Sequence, residues 1–238
     1  MNFIGQVARW FLDAAHWQGD GGIPHRLLEH VTMSGASLLA AALIALPIGI
    51  VLGHFGRGGN LAINLSNIGR AVPSFALLVI AVELVGIGAV PAFVALVALG
   101  IPPIVTNSYI GMREVDADVR EAARGMGMRG RMVLQRVELP IALPFIMAGI
   151  RTSAVNIVAT ATLAALVAWG GLGRFIVDGL GLQDYPMLYA GAILVGLLSL
   201  IVEFSLAGLQ RLVTPAGLRT SKTIRDPDSK TATNLAAA

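Results

Sequence analysis

Residues 71–112 read AVPSFALLVIAVELVGIGAVPAFVALVALGIPPIVTNSYIGM, with Glu83 as the one charge in 42 positions. As a single helix this stretch would be roughly 63 Å long, twice what a bilayer's hydrocarbon core of about 30 Å requires. It must therefore fold back on itself. Gly86-Ile87-Gly88-Ala89-Val90-Pro91 supplies the turn, because glycine and proline together punctuate apolar helices.

Working outward, three further apolar runs are long enough to cross. Val31–Gly53 lies between His30 and His54; residues 139–168 hold only Arg151; residues 186–209 hold only Glu203. The expected architecture is all-α and polytopic, with five transmembrane helices. Composition agrees: 55% of the 238 residues are hydrophobic and 13% charged, about half the charge of a soluble domain. The 28 glycines and 11 prolines are also better tolerated in membrane helices than in water.

Upstream, residues 1–30 form an N-terminal helix and turn. Phe3, Ile4, Val7, Ala8, Phe11 and Leu12 recur at helical spacing, which suits either a helix on the bilayer surface or a terminus packed on the first span. The transmembrane unit is expected over 31–209, and the polar segment 210–238 as a disordered tail. Thirteen arginines and lysines fall in the 54–70 loop, the 111–138 loop and the tail, against Arg9, Arg26 and Arg174 on the other side. The positive-inside rule then puts the N-terminus outside and the C-terminus in the cytoplasm.

The loop 111–138 is not plain solvated chain. Val115, Val119, Ala122 and Met126 share a helical face, Gly125, Gly127 and Gly130 interrupt it, and Met128–Val137 is expected to form a second short helix. An apolar strip rimmed by arginines is a docking surface for another protein.

Glu121-Ala122-Ala123, then Gly127, then Leu139-Pro140 carry a resemblance to the EAA loop of ABC importer permeases, with Val137 standing where the pattern has isoleucine. The resemblance implies that this loop docks on a cytoplasmic ABC ATPase subunit, that an extracellular substrate-binding protein delivers cargo, and that a second permease copy or a paralogue completes the pathway. The segments Gly22-Ile23-Pro24, Leu46-Pro47-Ile48-Gly49, Val72-Pro73-Ser74, Gly86-Ile87-Gly88 and Gly170-Gly171-Leu172-Gly173 look like the osmoprotectant group, whose members import glycine betaine, choline or carnitine. A methionine-importer permease shares part of that pattern.

No enzyme activity is expected of this chain. The only lysines, Lys222 and Lys230, lack a preceding P-loop, so ATP and magnesium are expected on the partner ATPase. His16, His25, His30 and His54 show no metal-ligand spacing, cysteine is absent, and the basic residues lack the clustering of a nucleic-acid surface. Thr152, Asn156 and Thr160 lie four apart and should face a translocation path or another helix rather than lipid. Trp169, Gly170 and Gly171 suit an outer gate or an interfacial anchor with a tight turn. Arg151 and Glu203 come out at matching depth, roughly 10–12 Å from the cytoplasmic side, and are expected to pair. A channel or proton-coupled carrier working through Glu83, Arg151 and Glu203 would explain these charges but not the loop.

Overall fold

Small residues decide how the long helices lie together. A side chain at Gly49 would meet Ser108 and Val105, one at Gly53 would meet Met112, and Gly100 sits against Ala41. The backbones of α2 (Ile23–Phe55) and α4 (Ala89–Arg113) can approach closely only because these positions carry no Cβ. The paired numbers rise together, so α2 and α4 run parallel. Against α7 (Leu139–Thr160) the order reverses: Gly111 meets Phe145, Gly149 meets Asn107, and Ser153 donates to the Gly100 carbonyl at 2.9 Å. α9 (Tyr185–Val213) runs antiparallel to α7, with Gln210 bonded to Pro144 and Arg151 to Glu203.

These relations come from a computed structural model, which describes residues 3–60, 64 and 72–214. Among the described residues the fold is all-helical, and four helical segments have the length and composition to cross a membrane: Ile23–Phe55, Ala89–Arg113, Gly130–Val167 and Tyr185–Val213. The remaining apolar helix, α3 (Ser74–Val85), has 12 residues, about 18 Å, short of a full crossing by itself. Since α2 and α4 are parallel, the chain between them must return to the end where α2 began, and α3 lies on that return. The fold-back at 86–88 is present, with Gly86 and Gly88 both at positive φ.

α4 and α7 form the interior. Ile104, Val105, Met112, Ala142 and Ile157 are closed off from solvent. α9 leaves Ile193, Leu197, Leu200, Ile201 and Phe204 exposed, an apolar face that suits lipid rather than water.

Several boundaries differ from those expected. The first long helix starts at Ile23, behind Gly22 as N-cap and with Pro24 in its first turn, so the division expected at residue 30 falls inside it. α1 (Phe3–Leu12) packs on the last long helix rather than the first, Phe3 meeting Tyr189 edge-on at 4.8 Å, while Trp10 meets Phe175, which lies ahead of that helix, at 5.3 Å. The second short helix of the loop is not separate. α6 (Gly130–Val133) passes through a π turn (Leu134–Glu138) straight into α7. Between the last two long helices stands an unforeseen helix, α8 (Gly173–Gly181), which carries an Arg174–Asp178 pair at 3.0 Å. Helix α9 continues to Val213, past the boundary at 210, and the tail expected from there lies mostly outside the described residues.

Candidate functional site

The loop helix α5 (Ala117–Gly125) starts where Asp116 caps it, its side chain accepting from the Asp118 amide at 2.9 Å. It ends in a Schellman motif: Met128 N–H donates to the Ala123 carbonyl at 3.1 Å and Gly127 N–H to the Arg124 carbonyl at 2.9 Å. Gly127 takes the left-handed position at φ +82°. The spacing from Ala123 to Gly127 is that of the motif's C3 and C′ positions, which gives a physical reason for alanine and glycine standing four apart.

Ala123 is buried, whereas Glu121 and Ala122 are exposed. The apolar face expected along this helix divides: Val115, ahead of the helix, turns inward, while Val119 and Met126 stay exposed, Met126 at 71%. Met132 joins them, with exposed Arg124, Arg129 and Arg131 alongside. This outer strip has no partner element among the described residues.

Leu139-Pro140 marks the joint with the membrane helix. Pro140 has no N–H to donate, and Leu139 N–H reaches back five residues to the Leu134 carbonyl, which is the π turn. One extra residue in a turn rotates the face before it by about 100° relative to the face after it. Glu138, inside that turn, points into the protein and is fully buried. Its Oε1 accepts from Arg120 Nε at 2.8 Å, and its Oε2 lies 2.5 Å from His54 Nδ1. Arg120 also donates through Nη2 to the Met112 carbonyl in the last turn of α4. One carboxylate therefore joins the loop helix, the end of α2 and the start of α7, and its arginine partner adds the end of α4.

The sequence-predicted stripe on α7 divides as well. Thr152 and Asn156 face outward from the chain, and Thr160 lines a small cavity with Ser74, Leu78 and Leu96. At the opposite end of the bundle, Gly171 N–H donates to Glu29 Oε2 at 2.8 Å, and Arg26 holds the same carboxylate at 2.9 Å. A side chain at Gly170 would collide with Glu29, so this turn closes directly on α2. Trp169 borders an open cavity with Met33 and Phe93.

Arg151 Nε stands 3.2 Å from Glu203 Oε1, both side chains about one-third exposed. Arg151 also donates to Gln210 Oε1 at 3.0 Å, and Gln210 donates to the Pro144 carbonyl at 2.9 Å. Sequence reasoning did not single out His54, Arg120, Glu138 or Gln210. The one available signal was a glutamate placed between Val137 and Leu139-Pro140, at the mouth of an apolar helix.

Residues 45–216 match the family model described as "Binding-protein-dependent transport system inner membrane component". The chain is similar to the choline transport system permease protein OpuBB of Bacillus subtilis, 38% identical across 86% of this chain and 95% of that one. It is also similar to the glycine betaine/carnitine/choline transport system permease protein OpuCB of the same organism, 37% identical across 87% and 96%. Among solved structures, an inward-facing form of the MetNI methionine ABC transporter matches with a TM-score of 0.68 at 25% identity, covering 81% of this chain and 96% of that one.

Proposed function

This chain belongs to the binding-protein-dependent transport system inner membrane components, and we propose that its cargo is a quaternary-amine osmoprotectant such as glycine betaine, choline or carnitine. It is a multi-pass membrane transport component, the permease of an ABC importer. The observation that carries the substrate class is the 37–38% identity, along nearly the whole chain, to permeases named for choline, glycine betaine and carnitine. Identity to the methionine transporter is lower, at 25%.

In this reading the exposed strip of Val119, Met126 and Met132 receives the cytoplasmic ATPase, which binds ATP and magnesium. Glu121, Ala122, Ala123, Gly127, Leu139 and Pro140 set the angle at which that strip is presented. The other end of the bundle, with Trp169, Gly170 and Gly171, faces the extracellular substrate-binding protein and forms the outer gate. Thr152 and Asn156 look out toward a second permease, a copy or a paralogue, across a shared path that Thr160 continues. The chain crosses five times, with its N-terminus outside and its C-terminus in the cytoplasm. Supporting this orientation, Arg113, Arg120, Arg124, Arg129, Arg131 and Arg136 gather at the loop end, against Arg9, Arg26 and Arg174 at the other.

The test is uptake by the complete transporter, reconstituted with its ATPase and binding protein in proteoliposomes. ATP-dependent accumulation of labelled choline or glycine betaine, uncompeted by methionine, is the expected result. Accumulation of methionine with no response to either amine would overturn the substrate assignment.

A further inference from the structure

Among the described residues, Glu138 is the only carboxylate wholly removed from solvent. Burying an ion pair gains little over well-packed apolar residues, so stability is a weak reason for one to stand here. Its position is more informative. α5 is tied to the membrane helices covalently only through the short 114–116 connection and the turn at Gly127, and only Val115 and Ala123 of this segment are buried. A helix held so lightly would pivot when pushed. The charged cluster blocks the pivot: Arg120 grips the α4 end at the Met112 carbonyl with one nitrogen and Glu138 with another, and Glu138 holds α2 through His54. The Met112 carbonyl is among the last four of α4, which have no partner within the helix and carry its negative dipole end, so a guanidinium is well suited to it.

We propose that Arg120, Glu138 and His54 form a latch that makes α5 move as one body with the ends of α2 and α4, and so carries a displacement of the loop helix into the membrane. The three are positioning residues and touch no cargo. This inference rests on the reading of α5 as the ATPase-docking helix.

The experiment uses the complete transporter with its ATPase and binding protein, and reads three quantities: co-purification of the ATPase, hydrolysis without cargo, and cargo-stimulated uptake. Removing both charges together, Arg120→Met with Glu138→Leu, avoids stranding either one in the interior. Co-purification and cargo-free hydrolysis should stay at the wild-type level while stimulated uptake falls about tenfold, within the usual range of coupling between sites. Arg120→Lys keeps the charge but presents a single point donor in place of a planar fork, so it should lose several-fold of uptake with assembly intact. Wild-type uptake in the double variant overturns the latch. If that variant does not assemble, Arg120→Lys decides: full uptake overturns the latch, and reduced uptake with unchanged cargo-free hydrolysis supports it. Failure of the docking reading has a different signature. Val119→Glu with Met126→Glu, on the exposed strip, should abolish co-purification, and retention of the ATPase there would remove the docking role whatever the latch variants show.

Discussion

Gly127 sits at φ +82° with nothing within 4 Å of where a Cβ would stand, so substitution there perturbs the backbone and leaves packing alone. An L-residue in the left-handed region costs roughly 1–2 kcal/mol, and a β-branched one is a true outlier. That energy acts on the Schellman turn alone, since the two hydrogen bonds from Gly127 and Met128 to Arg124 and Ala123 need this conformation. A penalty of one or two kcal/mol changes a two-state population by a factor of about 5–30, which sets the scale for the fraction of loops still presenting α5 at its native angle. The assay is cargo-stimulated uptake by reconstituted Gly127→Asn, Gly127→Ala and Gly127→Val transporters, corrected for the amount of inserted protein. Asparagine tolerates this region best among side-chain-bearing residues, so uptake should fall in the order glycine, asparagine, alanine, valine. Insertion should be unchanged throughout, because no neighbour is displaced. Wild-type uptake by Gly127→Val, or asparagine no better than valine, would refute the argument that backbone geometry at this position sets the coupling angle.

Topology is open to direct labelling, because the chain has no cysteine. A cysteine at Gly181, which has open space around its Cβ, should react with an impermeant thiol reagent applied from outside, and one at Gly130, equally open, should not; the reverse pattern would invert the orientation. At the Arg151–Glu203 pair, Arg151→Met should lower folded yield and melting temperature in detergent more than Glu203→Leu. Losing Arg151 leaves a carboxylate at membrane depth without its cation, whereas losing Glu203 leaves Arg151 still bonded to Gln210. The double change should recover part of the Arg151→Met loss, and a double variant less stable than both singles would refute this pairing energetics.

What could be seen in the sequence follows from how local each feature is. Long apolar runs declare crossing helices because bilayer thickness sets a length, and the fold-back at 86–91 follows from the same arithmetic. The loop turn was visible because a Schellman motif spans only a few residues, from Ala123 to Met128. The latch was not, since His54 and Glu138 are 84 residues apart and meet only after three helix ends have come together. α8 escaped notice because its glycines and charged Arg174 and Asp178 resemble a polar outer loop, although Phe175 and Ile176 pack against α9.

The Arg151–Glu203 pair shows where such arithmetic stops. Counting about 1.5 Å per residue from the ends of two antiparallel helices gives the height of each charge, and the two side chains stand 3.2 Å apart. Height says nothing of rotation about the helix axis. The pair lies on the outer side of the α7–α9 seam, one-third exposed, rather than in the bundle interior. Gln210, one residue beyond the apolar run ending at 209, supplies the neutral partner that no count of charges would have found. That polar network lies outside the α4–α7 contact, where Gly100, Gly111 and Gly149 let the two helices approach closely, while the loop end carries the charged joint.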